Sequence, residues 1–334
     1  MWTNPLTRDK CSKRLENFFL ETNGCVQVFL TTQDSRLKTW FFMRCCLDIK
    51  QIPYLVQLLE DDSETVRLEV VKALKSYGPE LAREIEKLSL DIGLEGRKVL
   101  SGILSAHKRE WLRRVWGDWY KPGEETASLE AALALIAEFQ TTGREASVLF
   151  VLLDRLAQEF RSLHGTSDDP LLLADFLFKT KRLDGAPEQD YYNPLHSNIV
   201  YAIEHKKGLP ITLAAVYMLT GARLGMTITG CALPGHFLAR SEYAGRTFYV
   251  DGFHSGRVLS AKAVLDFYTS SSGTANLQEL LNTPADVKTI VRRILTNLAY
   301  AYEKHEDHEN SRLMPDLLRD VEKFSGGVPD YFPE

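Results

Sequence analysis

The spacing of apolar residues changes twice along the chain. From about residue 36 to 110, and again from Ser128 to Gly225, apolar residues recur at helical spacing; from Met226 to Asp251 they alternate, and beyond residue 284 the helical period returns. In the first region "LKTWFFMRCCLDI" is apolar on most sides. Pro53 suits a first helical turn, and Ile52, Leu55, Val56, Leu58 and Leu59 form one stripe. "DDS" then breaks the chain, and Ser63 is placed to cap a helix carried by Val66, Val70, Val71 and Leu74, with Arg67 and Lys72 outside. Gly78-Pro79 ends that helix and starts another. Residues 1–35 carry little pattern: "RLENFFLE" reads as a short helix and "GCVQVFLTT" as a strand or an apolar helix.

Gly, Pro and charged residues cluster in "RRVWGDWYKPGEETAS", which places a domain boundary there. Ser128 is expected to cap "LEAALALIAEF", and "EASVLFVLLDRLAQEFRSL" has apolar positions at 148, 149, 152, 153, 156 and 160. Asp169-Pro170 and Asn193-Pro194 each join a capping residue to a first-turn proline. They open "PLLLADFLF" and "PLHSNIVYAIEHKK", the second stopped by Gly208. The next stretch, "GLPITLAAVYMLTGARLG", has almost no polar face, so it belongs at the centre of a core. Gly221 inside it costs about 1 kcal/mol relative to alanine unless close packing requires it.

"MTITGCAL", "HFLAR" and "RTFYVD" then read as strands. If the loop joining the last two is Glu242 to Gly245, Ser241 pairs with Arg246, and His236 lies directly opposite Asp251 on one sheet face. A loop one residue longer puts them on opposite faces. "FHSGRVLSAKAVLDFY" reads as a turn and a short helix. "VKTIVRRILTNLAYAYEKH" is amphipathic through Val287, Ile290, Val291, Ile294, Leu295, Leu298 and Ala301, and "ENSRLMPDLLRDVEKF" completes a helical hairpin despite Pro315.

Composition narrows the function classes. The 334 residues suffice for two or three domains, and 44% hydrophobic with 25% charged residues is ordinary for a soluble globular chain. A net charge of -5 gives no basic field for nucleic acid or an anionic membrane. No run of 18 or more apolar residues occurs, and "MWTNPLTRDK" lacks a signal-peptide core, so a cytoplasmic location is expected. The cysteines number five, with Cys45 and Cys46 adjacent, which suits buried thiols better than disulfides. No C-x-x-C occurs, and the two His of "HEDH" at 305–308 read as an exposed helix end, so neither a metal site nor a cofactor is expected.

Two resemblances follow from these residues. "DDSETVRLEVVKAL" and its flanking helices resemble a HEAT repeat, a unit that stacks on its neighbours because it cannot bury its apolar face alone. "DYYNPLHSNIVYAIEHKKGLPITLAAVYMLTGARLG", "LPGHFLAR" and "VDGFHSG" together resemble the SirB branch of the transglutaminase-like superfamily, over roughly residues 115 to 325. The resemblance implies a mainly helical α+β chain. A HEAT-like segment fills 1–110, a transglutaminase-like core with a central helix on a small antiparallel sheet fills 111–283, and a tetratricopeptide-like hairpin fills 284–334.

In catalytic members of the superfamily a cysteine nucleophile opens the central helix, where the dipole and free N–H groups favour a thiolate. A His acts as base and an Asp orients it. Carried over, the resemblance puts Pro210 at the nucleophile position, His236 at the His and Asp251 at the Asp. Gly252 follows Asp251 where the branch more often has proline, a change expected to loosen the turn. Proline has no group to attack a carbonyl, but it starts a helix well.

Other readings of the site remain open beside this one. Thr212 is a substitute nucleophile or a helix-interior threonine bonding back to a carbonyl. Cys231 is a substitute thiol or a small core residue. Leu209 offers no capping oxygen, so the N–H groups of 211 to 213, with His236 beside them, form an anion-binding corner involving Ile211 and Thr212, or are satisfied by water or Asn198. The His236–Asp251 pair is a catalytic remnant or a bond that fixes two strands.

The reading that follows is a non-catalytic interaction or regulatory protein with a protein or peptide partner. The alternatives are a hydrolase or acyl or amide transferase using His236 and Asp251 with a non-cysteine nucleophile or water, and a sensor of a peptide or small anion.

Overall fold

The computed structural model describes residues 19–22, 25–28, 49–78, 80–87, 92–121, 123–141, 146–269 and 277–323. The chain divides into two compact units, Met1–His107 and Lys108–Glu334. "LKTWFFMRCCLDI", all but its last residue, lies outside the described residues.

In the first unit β1 (Phe19–Thr22) and β2 (Cys25–Val28) pair antiparallel, so "RLENFFLE" ends in a strand, not a helix. The helices α1 (Ile52–Gln57), α2 (Glu64–Ser76) and α3 (Glu80–Lys87) follow, and α4 (Leu94–Val115) crosses the division between the units. Ile52, Val56, Leu59, Val70, Leu74, Leu81, Leu100 and Ile103 form the unit's apolar core. Ser63 stands at the N-cap of α2 but makes no side-chain cap. The acidic turn is tied down instead by Arg67, which donates to the carbonyls of Asp61 (2.6 Å) and Asp62 (3.2 Å).

The second unit opens with α5 (Glu125–Gln140), which starts three residues before the expected cap. Ser128 is buried inside the helix, and its Oγ accepts from Lys121 N (2.9 Å) and donates to Lys121 O (3.1 Å). Next come α6 (Ser147–His164) and α7 (Pro170–Ala174), the latter capped by Asp169 Oδ1 on Leu171 N at 2.8 Å. A wide turn, Asp175–Thr180, extends α7.

The stretch expected as one helix from Pro194 is two elements. A short 3-10 turn (Pro194–Ser197) ends at Asn198, which caps α8 (Ile199–His205). Left-handed Lys206 stops α8 two residues before Gly208. Lys207–Gly208 (β4) then pairs in parallel with Asp184–Gly185 (β3).

Helix α9 (Pro210–Arg223) is the centre of the unit's core, buried from Pro210 through Tyr217. A Cβ at Gly221 would fall 2.5 Å from Ile228 Cδ1, so close packing accounts for the glycine. Against α9 lies an antiparallel sheet of β5 (Ile228–Leu233), β6 (His236–Tyr243), β7 (Arg246–Asp251) and β8 (Arg257–Leu259), in that order. Behind it come α10 (Ala261–Thr269) and α11 (Leu277–Asn282), then α12 (Val287–Lys304) and α13 (His308–Lys323) as a hairpin. Every apolar position expected on α12 is buried, and both hairpin helices share one apolar core with α5, α6 and α9. The architecture is α+β and mainly helical, and no described helix is long and apolar enough to cross a membrane.

The β6–β7 register differs from the expectation by two residues. Tyr243 pairs with Arg246 and Ala239 with Val250, so His236 is not directly opposite Asp251. The loop is a two-residue turn, Ala244 (φ 50°) and Gly245 (φ 73°), whose left-handed pair matches the twist of a hairpin better than a four-residue loop does. Side chains alternate with period two, so a slip of two keeps His236 and Asp251 on the same face.

Candidate functional site

The site forms where the end of β7 turns beside the start of β6. Asp251 is buried and caps a 3-10 turn (Gly252–His254). Its Oδ1 accepts from Phe253 N (3.1 Å) and His254 N (3.3 Å). The turn is therefore held tightly without the proline that the family resemblance led us to expect. Gly252 allows it to sit against α9, since a Cβ there would fall 2.9 Å from the Phe178 ring and 3.1 Å from Leu213 Cβ.

Asp251 Oδ2 faces two imidazoles. His236 Nε2 lies 3.0 Å away but off the line of a proper hydrogen bond, and no other partner reaches that buried nitrogen. His254 Nδ1 lies 2.7 Å from the same oxygen, with a side chain 63% exposed. Burial pushes the Asp251 carboxyl up, but the close approach of His236 and the bond from His254 outweigh it and hold the carboxyl below the usual carboxylate range. His254 was missed by sequence reasoning. It stands in the quoted "VDGFHSG", and its spacing of three from a turn-capping Asp was the available signal.

The remaining candidates separate. Pro210 occupies the first turn of α9, and Leu209 at the cap gives no side-chain bond. Ile211 and Thr212 are buried beside it. Thr212 Oγ1 finds no partner, so the expected back-bond is not made; the carbonyl four residues earlier, Gly208 O, already accepts from Ala186 N at 3.0 Å. Asn198 does not serve α9, because its Oδ1 accepts from Val200 N (2.9 Å) and Tyr201 N (3.1 Å) of α8.

Cys231 is a buried core residue whose thiol leans on Leu280 O (3.6 Å), and burial pushes its pKa up to about 12. It offers no thiolate at neutral pH. In "HEDH", His308 Nδ1 makes an exposed contact with Glu303 Oε2 at 3.4 Å, and Asp307 accepts from Asn310 N (3.2 Å) and Nδ2 (2.7 Å).

An aromatic path leads away from the two imidazoles. Phe253 stands edge-on to both His236 (6.3 Å between ring centres) and His254 (5.3 Å), and Tyr191 stands edge-on to Phe253 at 5.9 Å. Tyr192 follows Tyr191 and meets Tyr300 of α12 at 5.0 Å, with both rings about half exposed.

Comparison with known proteins finds relatives over part of the chain. Part of the chain is 29% identical over 197 residues to UPF0162 proteins of two strains of Xylella fastidiosa, covering 56% of this chain and 69% of theirs. A UPF0162 protein of Vibrio cholerae is 25% identical over 129 residues, covering 38% of this chain and 47% of that one. Human F-box only protein 21 is 26% identical over 137 residues, 39% of this chain but 21% of its own length. No solved structure matches. Residues 150–296, which hold α9, His236, Asp251 and His254, match the family model of the transglutaminase-like superfamily.

Proposed function

We propose that the protein is a non-catalytic binding or regulatory module built on a transglutaminase-like core. The observation that carries this is Pro210 at the first position of α9, where a catalytic member of the superfamily would present its cysteine. Cys231 does not substitute for it, being buried and protonated. Thr212 has no base in contact with its hydroxyl among the described residues. The helix–turn–helix of α1 and α2 is read as HEAT-like, and α12 with α13 as tetratricopeptide-like; such elements hold protein segments. The half-exposed Tyr192 and Tyr300 offer a peptide flat, rigid contact area at low entropic cost. A similar stretch inside the much longer F-box only protein 21 supports a module carried with different neighbours. The resemblance to the SirB branch supports the same reading, by association with a regulator.

The test is turnover of a panel of amide, ester and thioester substrates by the wild type and by His236→Ala. The reading expects both to match the buffer blank. Wild-type turnover that is lost in His236→Ala would overturn it and favour the second reading, hydrolysis or acyl transfer by water activated at His236. That alternative draws on the retained 3.0 Å approach of His236 to a buried, ionised Asp251.

A further inference from the structure

We infer that His236 Nε2, Asp251 Oδ2 and His254 Nδ1 form a three-ligand site for a divalent first-row cation, zinc foremost, with its remaining coordination position open to solvent. The three donor atoms lie within 4.8 Å of one another, in the one group of this kind among the described residues. Two imidazole nitrogens and a carboxylate oxygen suit a borderline cation, and they suit calcium or magnesium poorly because those ions want oxygen alone.

The distances are close to those required. With zinc bonds of about 2.0–2.1 Å, donors at a tetrahedral angle stand about 3.3 Å apart. Here they stand 3.0 and 2.7 Å from the shared oxygen. Relative to Oδ2, the exposed His254 ring has to swing outward by about half an ångström, on the order of one thermal displacement.

Three further features favour the site. Oδ1 is fixed by the two backbone N–H groups, so the carboxylate cannot rotate and Oδ2 stays aimed at both rings. Such orientation of a ligand by its outer neighbours is how protein metal sites are tuned. His236 Nε2 is buried without a hydrogen bond, a costly state that a cation would relieve. Phe253 walls one side of the pair, while exposed His254 leaves a path for the ion. The spacing of 236, 251 and 254 matches no metal motif, because the fold joins these residues across a hairpin and around a turn. The site stands whether or not the core turns over a substrate.

The test uses the full chain without an affinity tag, stripped with chelator and dialysed against zinc. Metal per chain is measured directly, and cobalt(II) absorption reports the coordination geometry. About one equivalent of zinc is expected at micromolar free metal, with His254→Ala and His236→Ala each weakening binding at least about tenfold. His308→Ala should leave binding unchanged. His254→Ala removes an exposed side chain and its one bond to Asp251, so in chelator it should melt in one cooperative step with a modestly lower midpoint; this separates loss of a ligand from loss of fold. Absence of binding at about 50 µM free zinc, or wild-type affinity in both His variants, overturns the assignment.

Discussion

Gly252 of the Asp251 turn and Thr212 of α9 each make a definite prediction. Gly252→Ala would place a methyl 2.9 Å from the Phe178 ring and 3.1 Å from Leu213 Cβ. Overpacking of this kind should cost about 1–3 kcal/mol, read as a lower denaturant midpoint with unchanged slope. Thr212 carries the opposite expectation. Its buried hydroxyl has no partner, so Thr212→Val should raise stability, by about 1 kcal/mol in a thermal or denaturant melt. At this scale the sequence is legible where residue chemistry is local: His236 and Asp251 lie side by side and Pro210 opens α9, as type and order suggest. It was not legible where a partner decides the outcome. Thr212 lost its back-bond to a strand, β3–β4, that spans only two residues on each side and leaves no periodic trace.

At the scale of elements the same division holds. The sustained patterns of α6, α9 and α12 were read correctly because each repeats its apolar spacing over several turns. Short elements were misread. The Asn193-Pro194 and Asn198 caps follow one another so closely that two elements read as one helix, and β8, three residues long, reads as part of a turn. Asn198→Ala should cost about 1–3 kcal/mol in a denaturant melt, because it removes the cap on two N–H groups at a fully buried position. The hairpin turn makes a prediction of the other sign. Ala244 is held at φ 50°, which an L residue with a Cβ adopts at a cost. Ala244→Gly should therefore raise the melting midpoint, with a gain of about 1 kcal/mol.

At the scale of the whole molecule, the large apolar core runs from Leu112 to Val321, wholly inside the second unit. A fragment of residues 108–334 should therefore melt in one cooperative step and keep Trp116 and Trp119 shielded from a fluorescence quencher. Acid should weaken this unit in part through Glu159. The Lys181 ammonium, bonded to it, holds its carboxyl below the ordinary value of 4.5. The folded pKa is the lower one, so this stability is present above about 4.5 and drains away as pH falls through the folded value. Glu159→Gln should flatten that part of the stability–pH curve.

Asp251, finally, carries separate loads on its two oxygens, the turn on Oδ1 and the rings on Oδ2. An asparagine at 251 has one acceptable orientation, with its carbonyl toward the turn and its amide toward the rings. Asp251→Asn thus exchanges a single atom yet replaces the acceptor at that corner with a donor. The variant should keep the turn while silencing that corner alone, a matched reference for whatever depends on the two rings.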